Sequence, residues 1–216
     1  MSEDRFEQLF SAMSVEWNKA EKAIKLAESI DGEVVIPAIF ELRYAGRRLV
    51  EAWAIRLSEL ESSLALLKDA KFDCHRARHD AIDAATSKMV GDMNVAVEFL
   101  SASVIIKLFP LFSEFYGSLL EVRERIAISR EDRENRDKIY DTIQNVDLDR
   151  LAVLYRQFKS CEPLMVRGAE KEAIDAAELV RQAAASIRQG RIGLWVGIAG
   201  SIIGIVGLIL AWKGLR

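Results

Sequence analysis

The chain has 216 residues, a formal net charge of −3 and a pI near 5.6, so it lacks the excess positive charge of a general nucleic-acid-binding surface. Its two cysteines, Cys74 and Cys161, are too few for a disulfide framework and are typical of a reducing compartment. Only three prolines occur, and seven of the twelve glycines lie at or after Gly190, so the preceding sequence favours long helices.

The first hundred residues carry the periodic pattern of three helices. An apolar stripe at steps of three and four predicts a helix over residues 3–30, which Asp31 and Gly32 end. A second helix is expected to begin near Pro37. A third follows a weakly signalled break at residues 58–63 and breaks or continues near Gly91. The predicted inward-facing residues are Ile39, Leu42, Ala45, Leu49, Ala52 and Trp53 on the second helix, and Leu64, Leu67, Phe72, Ile82 and Ala85 on the third.

The middle of the chain predicts further core helices. Residues 95–120 are very apolar, and Pro110 should kink or split them. Their three charged residues favour a core helix pair over a second membrane span. Residues 121–138 are a mixed-charge run, interpreted as a solvated helix face that restarts at a capping box beginning with Ser129. A short helix should then start at Asp147 and end at Pro163.

Residues 192–212 form an apolar segment of 21 residues without a charge or a proline. As a helix this segment spans about 31 Å, which matches the roughly 30 Å hydrocarbon core of a bilayer. Trp195 and Trp212 lie near its two ends, where indole rings favour the membrane interface. The segment therefore predicts a single transmembrane helix.

The sequence begins without the basic and apolar regions of a signal peptide, and four residues follow Trp212. This arrangement predicts a tail-anchored, single-pass membrane protein with a cytosolic N-terminus, in the inner membrane if the source is bacterial. The predicted organisation is all-α: an up-and-down helical bundle over residues 1–162, an alanine-rich stalk helix over 163–191, the transmembrane helix over 192–212 and a short tail over 213–216.

Small residues inside the predicted span follow a heptad spacing. The glycines step by 4, 3, 4 and 3 residues along one seam and are Gly193, Gly197, Gly200, Gly204 and Gly207. Small residues let two membrane helices approach closely, so the seam predicts a homo-oligomer. The stalk continues this pattern with an alanine-rich seam typical of a thin coiled coil.

The densest polar cluster lies on the predicted third helix, where His75 and His79 are four residues apart and share one face. This spacing is compatible with two metal ligands, and Asp83 would be a third. The preferred interpretation is an ion-pair network between antiparallel second and third helices, with an anion pocket as the alternative. Its candidate residues are Arg43, Arg47, Asp73, Arg76 and Asp80.

The segments at residues 16–28, 41–53 and 71–84 resemble bacterial HEPN-like helical bundles, which are common in toxin and phage-defence proteins. The resemblance covers residues 15–90. HEPN ribonucleases carry an arginine, four to six further residues and then a histidine, and no arginine stands at that distance before His75 or His79. The resemblance therefore implies a helical bundle of an antiviral defence or toxin system and gives no reason to expect a ribonuclease.

These features predict a non-enzymatic effector or adaptor that self-associates through its anchor and binds a cytosolic ligand or partner. Its expected partners are the lipid bilayer and further copies of the chain, with no nucleic acid and no cofactor. The alternative is a membrane-tethered enzyme, either a nuclease or a metal-dependent one, that uses His75 and His79.

Overall fold

The computed structural model describes the backbone of residues 2–214 and the side chains of residues 4–182. Over these residues the chain is all-helical and forms a helical bundle, which confirms the all-α helical-bundle part of the predicted fold class. The helices are α1 (Ser2–Asp31), α2 (Ile36–Ile55), α3 (Leu60–Phe99), α4 (Ala102–Leu108), α5 (Phe112–Glu131), α6 (Arg136–Thr142) and α7 (Asp149–Gly214), with a π-helical turn at Ile143–Leu148 before α7. Two compact units divide the chain, Met1–Met165 and Val166–Arg216, and the first contains the bundle.

Helix α3 is the centre of the bundle, and α1 and α2 pack along it. Arg5 of α1 pairs with Glu61 at one end of α3, and Asp31 of α1 pairs with Lys88 towards the other, so α1 and α3 run parallel. Helix α2 runs antiparallel to both. Buried alanines line these contacts and allow close helix approach; they include Ala20, Ala23, Ala27, Ala38, Ala45, Ala70, Ala77 and Ala81.

Helix α5 and the first turns of α7 cover α3 on another side. The Tyr155 hydroxyl of α7 donates to Asp92 of α3 at 2.6 Å, and the Tyr116 hydroxyl of α5 donates to Asn94 at 2.7 Å. An aromatic cluster fills the space between these helices, with ring centroids 6.0–6.3 Å apart, and consists of Phe109, Phe112, Phe115 and Phe158. The apolar stretch at residues 95–120 therefore contributes to the core, split by the turn that contains Pro110.

Several predicted helix ends agree with the structure. Helix α1 ends at Asp31, and Gly32 has φ +78° while its N–H donates to Glu28 O at 2.8 Å. Pro37 stands in the first turn of α2, where a missing N–H removes no helical hydrogen bond. Helix α3 passes through Gly91 without a break and continues to Phe99.

The predicted ends of later helices were wrong. Helix α5 continues through Ser129 and ends at Glu131, and Ser129 does not begin a new helix, since its buried hydroxyl donates to Ile126 O of α5. Asp132 instead lies just before the next helix, and its carboxylate accepts the Asn135 N–H at 3.1 Å. Pro163 lies inside α7 and does not end a helix. A single proline removes one helical hydrogen bond, and turns on both sides can maintain the helix.

Among the described residues, no single helix is long and apolar enough to cross a bilayer; α4 and α5 satisfy the length and composition requirements only together, across a bend of 98°. The predicted span at residues 192–212, with its glycine seam and its two tryptophans, lies outside the residues whose side chains the structure describes.

Candidate functional site

A cleft of about 290 Å³ lies between the middle of α3 and the start of α6. Its lining combines an aromatic ring, two imidazoles, three guanidinium groups and one carboxylate, supplied by Phe72, His75, Arg76, His79, Arg133, Arg136 and Asp137. The α3 residues repeat at steps of three and four, which places them on one helix face. Phe72 was predicted to be a core residue, but it is 61% exposed at this cleft.

His75 connects three helices at the cleft. Its Nδ1 lies 2.7 Å from Asp137 Oδ2 of α6, and its Nε2 lies 3.3 Å from Glu16 Oε2 of α1. Burial alone would raise the pKa of Glu16, but the close approach of His75 and a hydrogen bond from Lys19 lower it to about 2. The Glu16 side chain beneath the cleft is therefore ionised near pH 7.

His79 lies one turn beyond His75, with ring centroids 6.5 Å apart. It stacks on Tyr140, with the centroids 3.8 Å apart, and its Nε2 is 3.2 Å from Asp137 Oδ1. Burial is the largest influence on this imidazole and, with the charge of the adjacent Arg78, lowers its pKa to about 3. His79 is therefore neutral near pH 7.

Arg78 is fully buried behind the two histidines. Its Nη1 donates to Asp141 and lies 3.5 Å from Glu16 Oε2, so one guanidinium joins α3 to α6 and α1. Lys19 contacts the carboxylates of both Glu16 and Asp141 at 3.0 Å. The Nε and Nη2 of Arg78 make no hydrogen bond with any described residue, although Nη2 lies 3.9 Å from Asp137 Oδ1.

The cleft arginines differ in how firmly they are held. Arg136 caps the C-terminal end of α5, because its Nε donates to Ser129 O at 2.9 Å and its Nη2 to Arg130 O at 3.1 Å. Arg76 pairs with Glu41 of α2 at 2.7 Å. Arg133 is exposed and has no hydrogen bond or ion pair to another residue in the described part of the chain. Arg133 is therefore the guanidinium most available to a ligand.

The structure does not place Asp83 with the two histidines. Its carboxylate accepts the Tyr140 hydroxyl at 2.6 Å and pairs with Arg130 at 3.2 Å. Within the described residues, no three or more histidine, cysteine or acidic side chains are arranged to hold a metal ion.

An ion-pair ladder joins α2 and α3, but through partly different residues from those predicted. Asp73 pairs with Arg48, and Arg76 pairs with Glu41. Arg48 and Glu41 are seven residues apart and therefore share the face of α2 that contacts α3.

The other predicted members of the network do not join this ladder. Arg47 pairs with Glu51 of its own helix, and Arg43 is exposed. Asp80 has a pKa raised by burial and by the nearby Asp83.

The residues that complete the site come from distant parts of the chain and were not predicted. Glu16 and Lys19 belong to α1, and Asp137 and Asp141 to α6. Local spacing offered a weak signal, because each of these pairs occupies one helix face. No local sequence pattern indicated that both pairs contact the face of α3 that carries Arg78.

No protein-family model matches the chain, and neither does any curated protein or any solved structure. The HEPN-like resemblance of residues 15–90 therefore stays a prediction. What can be argued about function rests on the chemistry of the cleft and on the sequence of the C-terminal segment.

Proposed function

We propose that this chain is a membrane-anchored effector or adaptor whose helical bundle binds an anionic ligand in the cleft between α3 and α6. The observation that supports the proposal best is the lining of the cleft. Three arginines and two histidines surround one carboxylate there, and Arg133 has no partner among the described residues. Guanidinium groups bind carboxylates and phosphates through charge-assisted hydrogen bonds, so an anion is the ligand class that fits.

The ionic network beneath the cleft supports a role in sensing. Asp137 contacts both histidines from α6, while Glu16 approaches His75 from α1. An anion that attracts the arginines and competes with Asp137 would change the contacts between three helices. The cleft is thus a place where ligand binding and the packing of the bundle are coupled.

The membrane part of the proposal rests on the sequence of residues 192–212. That segment would hold the bundle at the bilayer, and its glycine seam would bring copies together. Ligand binding at the bundle would then bias the self-association of the anchored protein, as in effectors of bacterial defence or toxin systems.

The binding proposal is tested with the full chain in detergent micelles, titrated calorimetrically with inorganic phosphate and with pyrophosphate. Arg133→Ala should weaken binding by about tenfold, because a charge-assisted hydrogen bond contributes roughly 1.5–3 kcal/mol. Arg123→Ala is the matched control, since Arg123 is also exposed and lies outside the cleft. No binding of either anion by the wild type, or equal binding by Arg133→Ala and the wild type, would refute the proposal.

A second candidate function is a membrane-tethered enzyme that transfers protons at a bound phosphate ester. The observation that favours it is the pairing of a neutral His79 with a His75 oriented by Asp137, which is an arrangement suited to general base and acid roles. The test is hydrolysis of RNA and of nucleotides by the full chain. Activity that is absent, or that persists in His75→Ala/His79→Ala, would exclude this candidate.

A further inference from the structure

The outer face of α2 carries an exposed seam that no other described helix covers. Large apolar residues on this face and in the turn that follows α2 are solvent-exposed, with Phe40 at 49%, Val50 at 70% and, in the turn, Leu57 at 84%. They belong to a series that steps by 3, 4, 3, 4 and 3 residues and consists of Phe40, Arg43, Arg47, Val50, Ala54 and Leu57. A heptad spacing on an exposed helix face is typical of a helix that packs against another helix.

The seam is symmetric about a point between Arg48 and Leu49. Reversing the helix about this point exchanges Phe40 with Leu57 and Arg47 with Val50, and it exchanges Arg43 with Ala54. An antiparallel copy of α2 would therefore place a long side chain opposite a shorter one at each level. Such a two-fold contact needs one surface that complements itself.

The charges on this face also favour an antiparallel copy. Arg47 Nε donates to Glu51 Oε1 at 2.8 Å within α2, which leaves further guanidinium donors and the second carboxylate oxygen available. An antiparallel copy at this register brings its Glu51 close to Arg47, and the reverse pair forms by symmetry. A parallel copy would instead place Arg47 against Arg47, which is repulsive.

A concave groove lies at the end of the seam. It has a volume of about 550 Å³, and its apolar lining includes Phe6, Phe10, Trp53, Leu57 and Leu60. Phe40 of an antiparallel copy would arrive at Leu57, at the edge of this groove. A concave apolar groove fits a protruding side chain better than it fits a flat lipid surface.

We propose that the outer face of α2 is a dimer interface for a second copy of this chain, docked antiparallel along the seam from Phe40 to Leu57. The interface is separate from the cleft between α3 and α6. Because Arg43 and Ala54 are eleven residues apart, they lie about 16 Å from each other along one helix, but they would face each other across the dimer.

The test is cysteine cross-linking of the full chain in its native membrane. In a Cys161→Ser background with the buried Cys74 retained, Arg43→Cys/Ala54→Cys should form dimers with a short bifunctional maleimide. Arg43→Cys alone should not, because the thiols introduced in the two copies would be about 16 Å apart along the helix axis. Val146→Cys/Val153→Cys is the control pair, since both valines are exposed elsewhere on the bundle.

Val50→Arg should lower cross-linking of the Arg43→Cys/Ala54→Cys protein by about tenfold, because it places a second guanidinium against Arg47 of the other copy, and like charges repel. Val146→Arg, at a valine of similar exposure, should leave cross-linking unchanged. Equal cross-linking by Arg43→Cys alone would overturn the antiparallel arrangement. Undiminished cross-linking in Val50→Arg, or cross-linking of the control pair as strong as that of the seam pair, would overturn the interface.

Discussion

Arg78 shows how a single buried charge organises this bundle. Its guanidinium contacts Asp141 and Glu16, and Lys19 contacts the same two carboxylates. Removing one member of a buried ion-pair network leaves the other charges without compensation, which destabilises a protein more than replacing the whole network.

We therefore expect Arg78→Met to lower the free energy of unfolding by about 3 kcal/mol. Methionine conserves much of the length of the side chain, so the loss comes mainly from the missing guanidinium contacts with the carboxylates of Glu16 and Asp141. Urea unfolding of the full chain in detergent, followed by circular dichroism, measures the effect. Arg123→Met is the exposed control and should change stability by less than about 0.5 kcal/mol. A similar small change for Arg78→Met would contradict the structural role of this network.

The histidine next to Arg78 predicts acid sensitivity. Burial lowers the pKa of His79 from 6.5 in the unfolded chain to about 3 in the fold. Between these values the unfolded chain binds the proton and the folded chain does not, so stability falls as the pH drops below 6.5. Glu16 adds a second loss below pH 4.5, because its pKa in the fold is about 2.

Between its folded and unfolded pKa values, His79 alone should change the free energy of unfolding by up to about 1.4 kcal/mol per pH unit. His79→Phe keeps an aromatic ring against Tyr140 and removes the titrating group. Urea unfolding at about pH 7, 6 and 5 should therefore show a smaller pH slope in His79→Phe than in the wild type. Equal slopes would mean that His79 does not remain neutral in the fold.

At the scale of the elements, two glycines differ in the backbone conformation that their positions require. Gly32 ends α1 with φ +78°, a conformation that costs an alanine about 1 kcal/mol. Gly91 lies inside α3, and a methyl group added there would meet no atom within 4 Å. Helix propensity alone then decides the outcome at Gly91.

Gly32→Ala should thus destabilise the protein by about 1 kcal/mol, whereas Gly91→Ala should stabilise it by roughly 0.5–1 kcal/mol. Thermal unfolding of both variants under identical conditions gives the comparison. Gly32→Asn should lose less than Gly32→Ala, since asparagine tolerates the left-handed region better. Two changes of the same sign would show that backbone conformation does not decide the stability effect at these two glycines.

At the scale of the whole molecule, the membrane anchor proposed for residues 192–212 would decide where the bundle acts. Its glycine seam predicts close packing of helices within the bilayer. Gly200→Leu/Gly204→Leu should keep the segment apolar enough to insert but should reduce self-association, because the added side chains separate the helix backbones. A membrane two-helix association assay measures this directly.

Leucine at Ile203 and Ile209 is the matched control, because these positions lie off the seam and the change conserves volume. Self-association in the control should equal that of the wild type. If the Gly200→Leu/Gly204→Leu protein also associates normally, the glycines reflect only the composition of membrane helices, and the proposal of self-association through the anchor loses its main support.

The sequence by itself determined the helical class and the first helix boundaries. Long stretches with a 3.6-residue apolar period and few breakers leave little alternative to helices. The first boundaries are set within one or two helical turns by Asp31, Gly32 and Pro37, so the local sequence is enough to predict them. The later boundaries were not evident from the sequence: Ser129 has the pattern of a helix start, but its buried hydroxyl donates to Ile126 O within α5.

Only the tertiary structure decided the site. The sequence showed that His75 and His79 share a helix face, but their partners Glu16 and Asp137 lie at least 58 residues away along the chain. Spacing along one helix tells which residues share a face and not which helix covers that face. The direction of α2 against α3 selected Arg48 and Glu41 for the ladder, and the packing of α6 buried Arg78 beneath the cleft.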